Sequence, residues 1–297
     1  MEFRSRINRV NARMWDDKTK AIFKSTVKNL SEDRVNVAAG AFAYRWFLSI
    51  FPMIIALLGI ASLVTLPATV VVDLINGVTK TLPSGAAHVF TDAITHAARR
   101  SSTDLGATVL ALVVALWSAV SGMVIVEEGL DMAYGLAADR SFLAKRMVAL
   151  QLLCGGIVLG GSASALTVFG APLGNVIRGA VPVSGAVFPV LWWIVRWVVA
   201  LVLINLLFSF LYYLAPNHPR RRWRWTSTGA IIATILWALV SYGFSLYTTD
   251  FSSYDRTYGA FAGVAILIFW LYLTGLAIFV GGEVNAAVER MDPARQT

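Results

Sequence analysis

The chain is expected to be an all-α integral membrane protein, with six transmembrane helices, an N-terminal amphipathic helix and a helical outer loop. Three observations carry this expectation. Of 297 residues, 57% are hydrophobic and only 14% charged, with a mean hydropathy of +0.67. Soluble domains carry about 25% charged residues. The apolar residues also form unbroken runs of the roughly 20 residues that a helix needs to cross about 30 Å of hydrocarbon, without the strict alternation of a barrel strand. Finally, the charged residues sit in clusters between those runs.

The segment 1–36 precedes the first run. Phe3, Ile7, Val10 and Met14 recur at helical steps, and Arg4, Arg6, Arg9 and Arg13 occupy other faces. That is the pattern of a cytoplasmic basic amphipathic helix lying on an inner leaflet, with a solvated or disordered segment as the alternative. The first 35 residues hold no apolar core long enough for a cleavable signal, so the first run is expected to act as an uncleaved anchor.

One membrane domain is expected over 37–290, followed by a short cytoplasmic tail over 291–297. Its six expected spans are Ala41–Val64, Leu105–Val126, Met147–Phe169, Val187–Leu214, Thr226–Thr248 and Tyr258–Gly282. The outer loop 65–104 is too patterned for coil. Val70, Val71, Leu74, Ile75 and Val78 form one helical stripe, and Phe90, Ala93, Ile94 and Ala97 form another, between Pro67 and Pro83. Two short helices, interfacial or re-entrant, are expected there. In the third span Gly156, Gly160 and Ser164 fall at four-residue steps, which suits close helix packing in the bundle or a homo-oligomer face.

Charge orients the spans. Eighteen Lys and Arg residues fall on the side of the termini and five on the other, with Arg45 and Arg196 inside spans. The positive-inside rule therefore places both termini in the cytoplasm, as an even number of spans requires. The net charge of +8 is spent beside apolar segments, which points to anionic inner-leaflet lipid as the partner and away from nucleic acid. Trp223 and Trp225, interleaved with arginines, fit such an interfacial belt.

Ionisable groups inside a span are costly and invite a reason. Arg196 lies nine residues into the fourth span, roughly 13 Å at helical rise. It reads either as an anion or headgroup contact on a substrate path, or as a structural arginine paired within the bundle. Arg45, a turn into the first span, can snorkel to the inner interface and is expected to pair with Glu127, Glu128 or Glu283 at the inner mouth. Asn205 and Asn285 are suited to bonding neighbouring helices or substrate. His88, Asp92 and His96 fall at i, i+4 and i+8, a zinc-compatible set on one helix face or an ordinary polar face. Cys154 is the single cysteine, so an intrachain disulfide and a Cys-rich zinc site are excluded. No P-loop, HExxH or GxSxG motif occurs; no enzyme activity and no cofactor are expected.

Three blocks carry a resemblance: AFAYRWFLSIFP (41–52), LWSAVSGMVIVEEGLDMAYG (116–135), and the run over 244–290 that holds YxTxFxxYDxTYG and ends in GGEVNAAVER. They resemble the YihY/BrkB envelope-protein family, long mislabelled ribonuclease BN, over roughly residues 35–291. The motif positions are Pro52, Tyr254, Asp255, Tyr258, Gly259, Glu283 and Asn285. Arg45 stands where that family more often has an apolar or aromatic residue, so its role is not read from the resemblance. The resemblance implies six spans in the bacterial inner membrane, a link to envelope integrity, and no established activity. A lipid-export role has been proposed for relatives. From the residues themselves, Tyr247, Phe251, Tyr254 and Tyr258 around the fifth loop read as a rigid interfacial hairpin or an outer gate. The function expected is a transporter or flippase of an amphipathic or lipid-linked anionic envelope component; the alternative is a non-transporting envelope scaffold.

Overall fold

The computed structural model describes residues 19–63, 72, 75–76, 91, 105–137, 140–180, 187–218, 225–249 and 260–291. All regular structure among them is helical. In chain order the helices are α1 (19–32), α2 (Val35–Leu63), α3 (Leu105–Tyr134), α4 (Phe142–Gly155), a π-helical segment (Gly156–Gly160), α5 (Gly161–Ala180), α6 (Val187–Leu214), α7 (Thr228–Thr249) and α8 (Ala260–Arg290). Five stretches among the described residues are long and apolar enough to cross a membrane: Leu112–Tyr134, Phe142–Thr167, Phe188–Leu214, Thr228–Leu246 and Gly263–Arg290. Their outer surfaces suit hydrocarbon, with Leu116, Trp117, Ile157, Val158, Val198 and Leu239 all exposed. The amphipathic pattern of 1–14, the histidine set and the aromatic fifth loop lie outside the described residues, as does the outer loop apart from four helical residues.

Helix ends depart from the hydropathy-based expectation. α3 runs eight residues past Val126, and α8 runs eight past Gly282, which puts Glu127, Glu128, Glu283 and Asn285 within helices. Apolar runs stop at the first charge, but backbone hydrogen bonding continues wherever that charge finds a partner. The stops that do occur are chemical. Gly135, at φ +68°, ends α3: its N–H donates to the Met132 carbonyl, and that of Leu136 to Asp131, each at 2.9 Å. This is a Schellman stop, and it needs the left-handed conformation that glycine adopts freely. Ser227 starts α7, its Oγ accepting from the Ala230 N–H at 3.1 Å.

The described chain packs as two compact units. The first draws on Met1–Asn36, Glu127–Leu236 and Ala277–Thr297. Within it, α6 packs antiparallel along α4, the π segment and α5. Gly155 lies under Phe210, a Cβ on Gly160 would come 3.3 Å from Leu207, Gly170 lies under Arg196, and Gly174 under Trp192. Of the small residues expected to make close contacts, Gly160 does so and Ser164 is exposed. The reason is the π turn, in which the Gly161 N–H reaches back to the Gly156 carbonyl. The extra residue in that turn rotates the following face, which simple four-residue spacing does not anticipate. Elsewhere in this unit the α7 and α8 backbones touch at Gly229 and Gly281, Gly129 receives Phe279, and Gly282 receives Leu130.

The second unit comprises Val37–Val126 and Trp237–Leu276. Its packing is mostly apolar and aromatic. A Cβ on Gly275 would stand 3.0 Å from Phe42 and 3.1 Å from the Ala39 backbone, and one on Gly122 would stand 3.3 Å from Trp46 Nε1. Trp237 meets Trp270 edge-on at 6.5 Å, and Trp270 Nε1 donates to Ser241 at 3.2 Å. Ser49 and Ser121 satisfy themselves on their own helices, on the Trp46 and Trp117 carbonyls at 2.7 Å.

Candidate functional site

The polar chemistry of the first unit collects where α3, α6 and α8 end and α1 begins to pack. Glu127 and Glu283, on α3 and α8, are both 0% exposed. A buried carboxylate must be paired or neutralised, and the two meet that need differently.

Glu127 is paired closely. Arg140, in the connection after α3, donates from Nη1 to Glu127 Oε2 at 2.7 Å, and from the same guanidinium to the Ala215 and Leu214 carbonyls at 2.7 and 3.4 Å. Those are carbonyls that the end of α6 leaves open, so one arginine satisfies a buried acid and a helix terminus together. One turn on from Glu127, Asp131 accepts from the Asn217 N–H at 2.7 Å and closes the same corner. Glu128 faces outward and meets Lys145 at 3.1 Å.

Glu283 is held loosely. Its nearest cation, Arg290, stands at 3.9 Å with a side chain 48% exposed. Arg290 also donates to the Ala133 and Ala286 carbonyls at 2.9 and 3.4 Å. The Asn29 amide lies between them. Turned one way, its nitrogen donates to Glu283 at 3.4 Å. Turned the other, its oxygen accepts from Arg290 at 3.1 and 3.3 Å while its nitrogen donates to the Ser25 carbonyl at 3.2 Å. The amide therefore serves Glu283 or Arg290, one orientation at a time. Oε1 of Glu283 is buried without a hydrogen-bond partner, as is Oε1 of Glu127.

The two asparagines bond across helices. Asn285 donates to Tyr134 Oη at 2.7 Å, and Asn205 to Thr234 at 3.2 Å. Tyr212 adds a buried bond to the Ile278 carbonyl at 2.7 Å and lies against Gly281 and Gly282. The GGEVNAA stretch is therefore a contact strip: two glycines admit Tyr212 and Leu130, and Glu283 and Asn285 reach α1 and α3.

Arg45 is exposed, and the three glutamates take Arg140, Lys145 and Arg290 as their cations. Arg140 and Arg290 entered the sequence reading only as topology charges, and Asn29 not at all. A carboxylate one turn before a helix stop, with an arginine just beyond it, was the available signal.

Arg196 stands apart from this cluster. Its stem crosses Gly170 of α5, its guanidinium lies 5.8 Å from the Trp197 ring, and its Nε is buried with no hydrogen-bond partner. Beside it Trp192 donates to the Gly170 carbonyl at 2.6 Å. The missing side chain at Gly170 is what lets the arginine lie flat between the two helices.

His88, Asp92 and His96, and the motif residues Tyr254, Asp255, Tyr258 and Gly259, lie outside the described residues. Pro52 is within α2. Among the described residues no three His, Cys, Asp or Glu side chains gather as a metal-ligand set.

Comparison with known proteins places this architecture. The family described as Virulence factor BrkB matches residues 26–297. YfkH of Bacillus subtilis (strain 168), whose name calls it ribonuclease-like, is 33% identical over 84% of this chain and 88% of its own. A UPF0761 membrane protein of Vibrio parahaemolyticus is 30% identical over 90% of this chain and 82% of its own. One from Vibrio cholerae is 32% identical over 90% and 86%. No solved structure matches. With apolar helices of spanning length and membrane-protein relatives along nearly all of its sequence, the chain belongs to the BrkB/YihY family of membrane proteins.

Proposed function

We propose that the protein is a transporter or flippase that moves an amphipathic or lipid-linked anionic envelope component across the bacterial cytoplasmic membrane. In this reading α2 also crosses the membrane, as the first of six spans, both termini are cytoplasmic, and the buried glutamate corner lies at the inner mouth. The observation that carries it is Arg196: a cation within an apolar span whose Nε is buried and unpartnered. Holding a charge there is costly unless it meets an opposite one in the course of function. An anionic headgroup travelling along the α5–α6 groove, with its tails in lipid, would supply that partner.

The test is reconstitution in vesicles containing a fluorescent anionic phospholipid, with leaflet exchange followed by a membrane-impermeant quencher. Wild-type protein should accelerate exchange over empty vesicles. Arg196→Ala should slow it about tenfold or more, the worth of one charge-assisted hydrogen bond, and Arg196→Lys should retain most of the rate. Equal rates for wild type and Arg196→Ala would sink the reading.

A second reading, a non-transporting envelope scaffold, draws on α1. Lys20, Lys24 and Lys28 are exposed at four-residue steps, alongside exposed Phe23 and Val27. That is a surface suited to anionic headgroups of the inner leaflet. It would be favoured if deleting residues 1–30 abolished the envelope phenotype while Arg196→Ala left it intact.

A further inference from the structure

Among the described residues of the second unit, Arg45 alone carries a charge, so that unit offers no acid to answer it. Glu127, Glu128 and Glu283, in the first unit, have Arg140, Lys145 and Arg290 as their cations. No hydrogen bond or ion pair joins Arg45 to another described residue. Its side chain is exposed.

The helix around it has two faces. Ala39, Phe42, Ala43 and Ser49 are buried, and Val37, Tyr44, Arg45 and Leu48 lie on the exposed side. The next residue, Trp46, packs on Gly122, ten residues from one end of the α3 apolar stretch and twelve from the other. Arg45 therefore sits well within the apolar length of its neighbour, on a surface of tyrosine, leucine and valine. A charge at that level normally turns inward, to a partner or to water. This one faces out.

Charge complementarity selects what covers it. The anion that an outward guanidinium meets in a bilayer is a lipid phosphate, which its fork of N–H donors bonds bidentately. Helical side chains lean towards the helix start, so the headgroup belongs to the leaflet beside the beginning of α2. Val37, Tyr44 and Leu48 offer apolar surface to the acyl chains. A second copy of the chain fits poorly. A symmetric contact through this face would set two arginines together with no described acid in either second unit.

We propose that the outward face of α2 is a binding site for an anionic phospholipid, held through its phosphate by Arg45. The site goes beyond the transport reading and stands whether or not the bundle carries a substrate.

Photolabelling of the full chain in lipid nanodiscs tests this. A phosphatidylglycerol carrying a diazirine near its headgroup should attach within residues 37–48, as mapped by peptide mass spectrometry. Labelling there should fall about tenfold in Arg45→Gln, the worth of one charge-assisted hydrogen bond. Arg45→Lys keeps the charge and should retain most of the label. Should the variants fail to accumulate, competition on the wild type carries the test: excess phosphatidylglycerol should displace the probe, and excess phosphatidylcholine should not. Labelling unchanged by Arg45→Gln, or equal displacement by the two lipids, would overturn the proposal. So would efficient disulfide formation between two copies of Leu48→Cys in a Cys154→Ser background, since the occupant would then be a second chain. None of these outcomes reads leaflet exchange, so failure here leaves the transport reading untouched.

Discussion

Glu127 and Glu283 are the same side chain in the same degree of burial, yet their surroundings differ. Glu127 meets a guanidinium at 2.7 Å that is itself 6% exposed; Glu283 meets one at 3.9 Å that is 48% exposed. The first is a closed structural pair, in which the arginine also ties up the α6 terminus. The second has a buried oxygen without a hydrogen-bond partner and a rearrangeable amide beside it. Burial alone therefore does not mark a functional acid. What separates the two is how completely the charge is answered.

The strongest way to break this comparison is to remove the closer cation. Arg140→Ala should destabilise the fold by about 3–5 kcal/mol, because it leaves a buried carboxylate and two helix-end carbonyls unanswered. Equilibrium unfolding in mixed micelles, followed by tryptophan fluorescence, would measure it. A loss below that of Arg290→Ala would reverse the assignment of structural and adaptable sites.

Neutralising the acids sharpens the contrast. Glu127→Gln should cost about 2 kcal/mol, the difference between a charged and a neutral acceptor for Arg140. Glu283→Gln should cost less than about 1 kcal/mol, since its cation stands at 3.9 Å and is 48% exposed. The same unfolding experiment reads both, and equal costs would remove the distinction.

The smallest effects belong to the exposed cations. Arg290→Ala should cost about 1 kcal/mol or less, given how far its charge is screened by solvent. Lys145→Ala, opposite the outward-facing Glu128, should cost about 0.5 kcal/mol. A large loss for Arg290→Ala would mean that Glu283 depends on it as an ion-pair partner.

The membrane class was legible from run length and charge clustering, which are one-dimensional properties. Five of the expected spans overlap stretches long and apolar enough to cross a membrane, with ends that differ by up to eight residues. The polar residues of the GGEVNAA block were legible as chemically unusual positions, because acids and amides beside apolar runs require an explanation. Their partners were not. Arg140 lies thirteen residues from Glu127 and seventy-five from Ala215, and Asn29 lies 254 from Glu283. Nothing local encodes which of twenty-five basic residues closes on which acid.

Hydropathy and lysine and arginine placement are sums over neighbours in the chain, so class, span positions and expected orientation follow from residue order. The π turn at Gly156–Gly160, the fit of Arg196 over Gly170, and the unequal treatment of two equally buried glutamates do not. Each depends on which backbone a distant glycine admits and on which guanidinium arrives first. Those outcomes are set by packing in three dimensions, where a difference of about one ångström separates a paired charge from an open one.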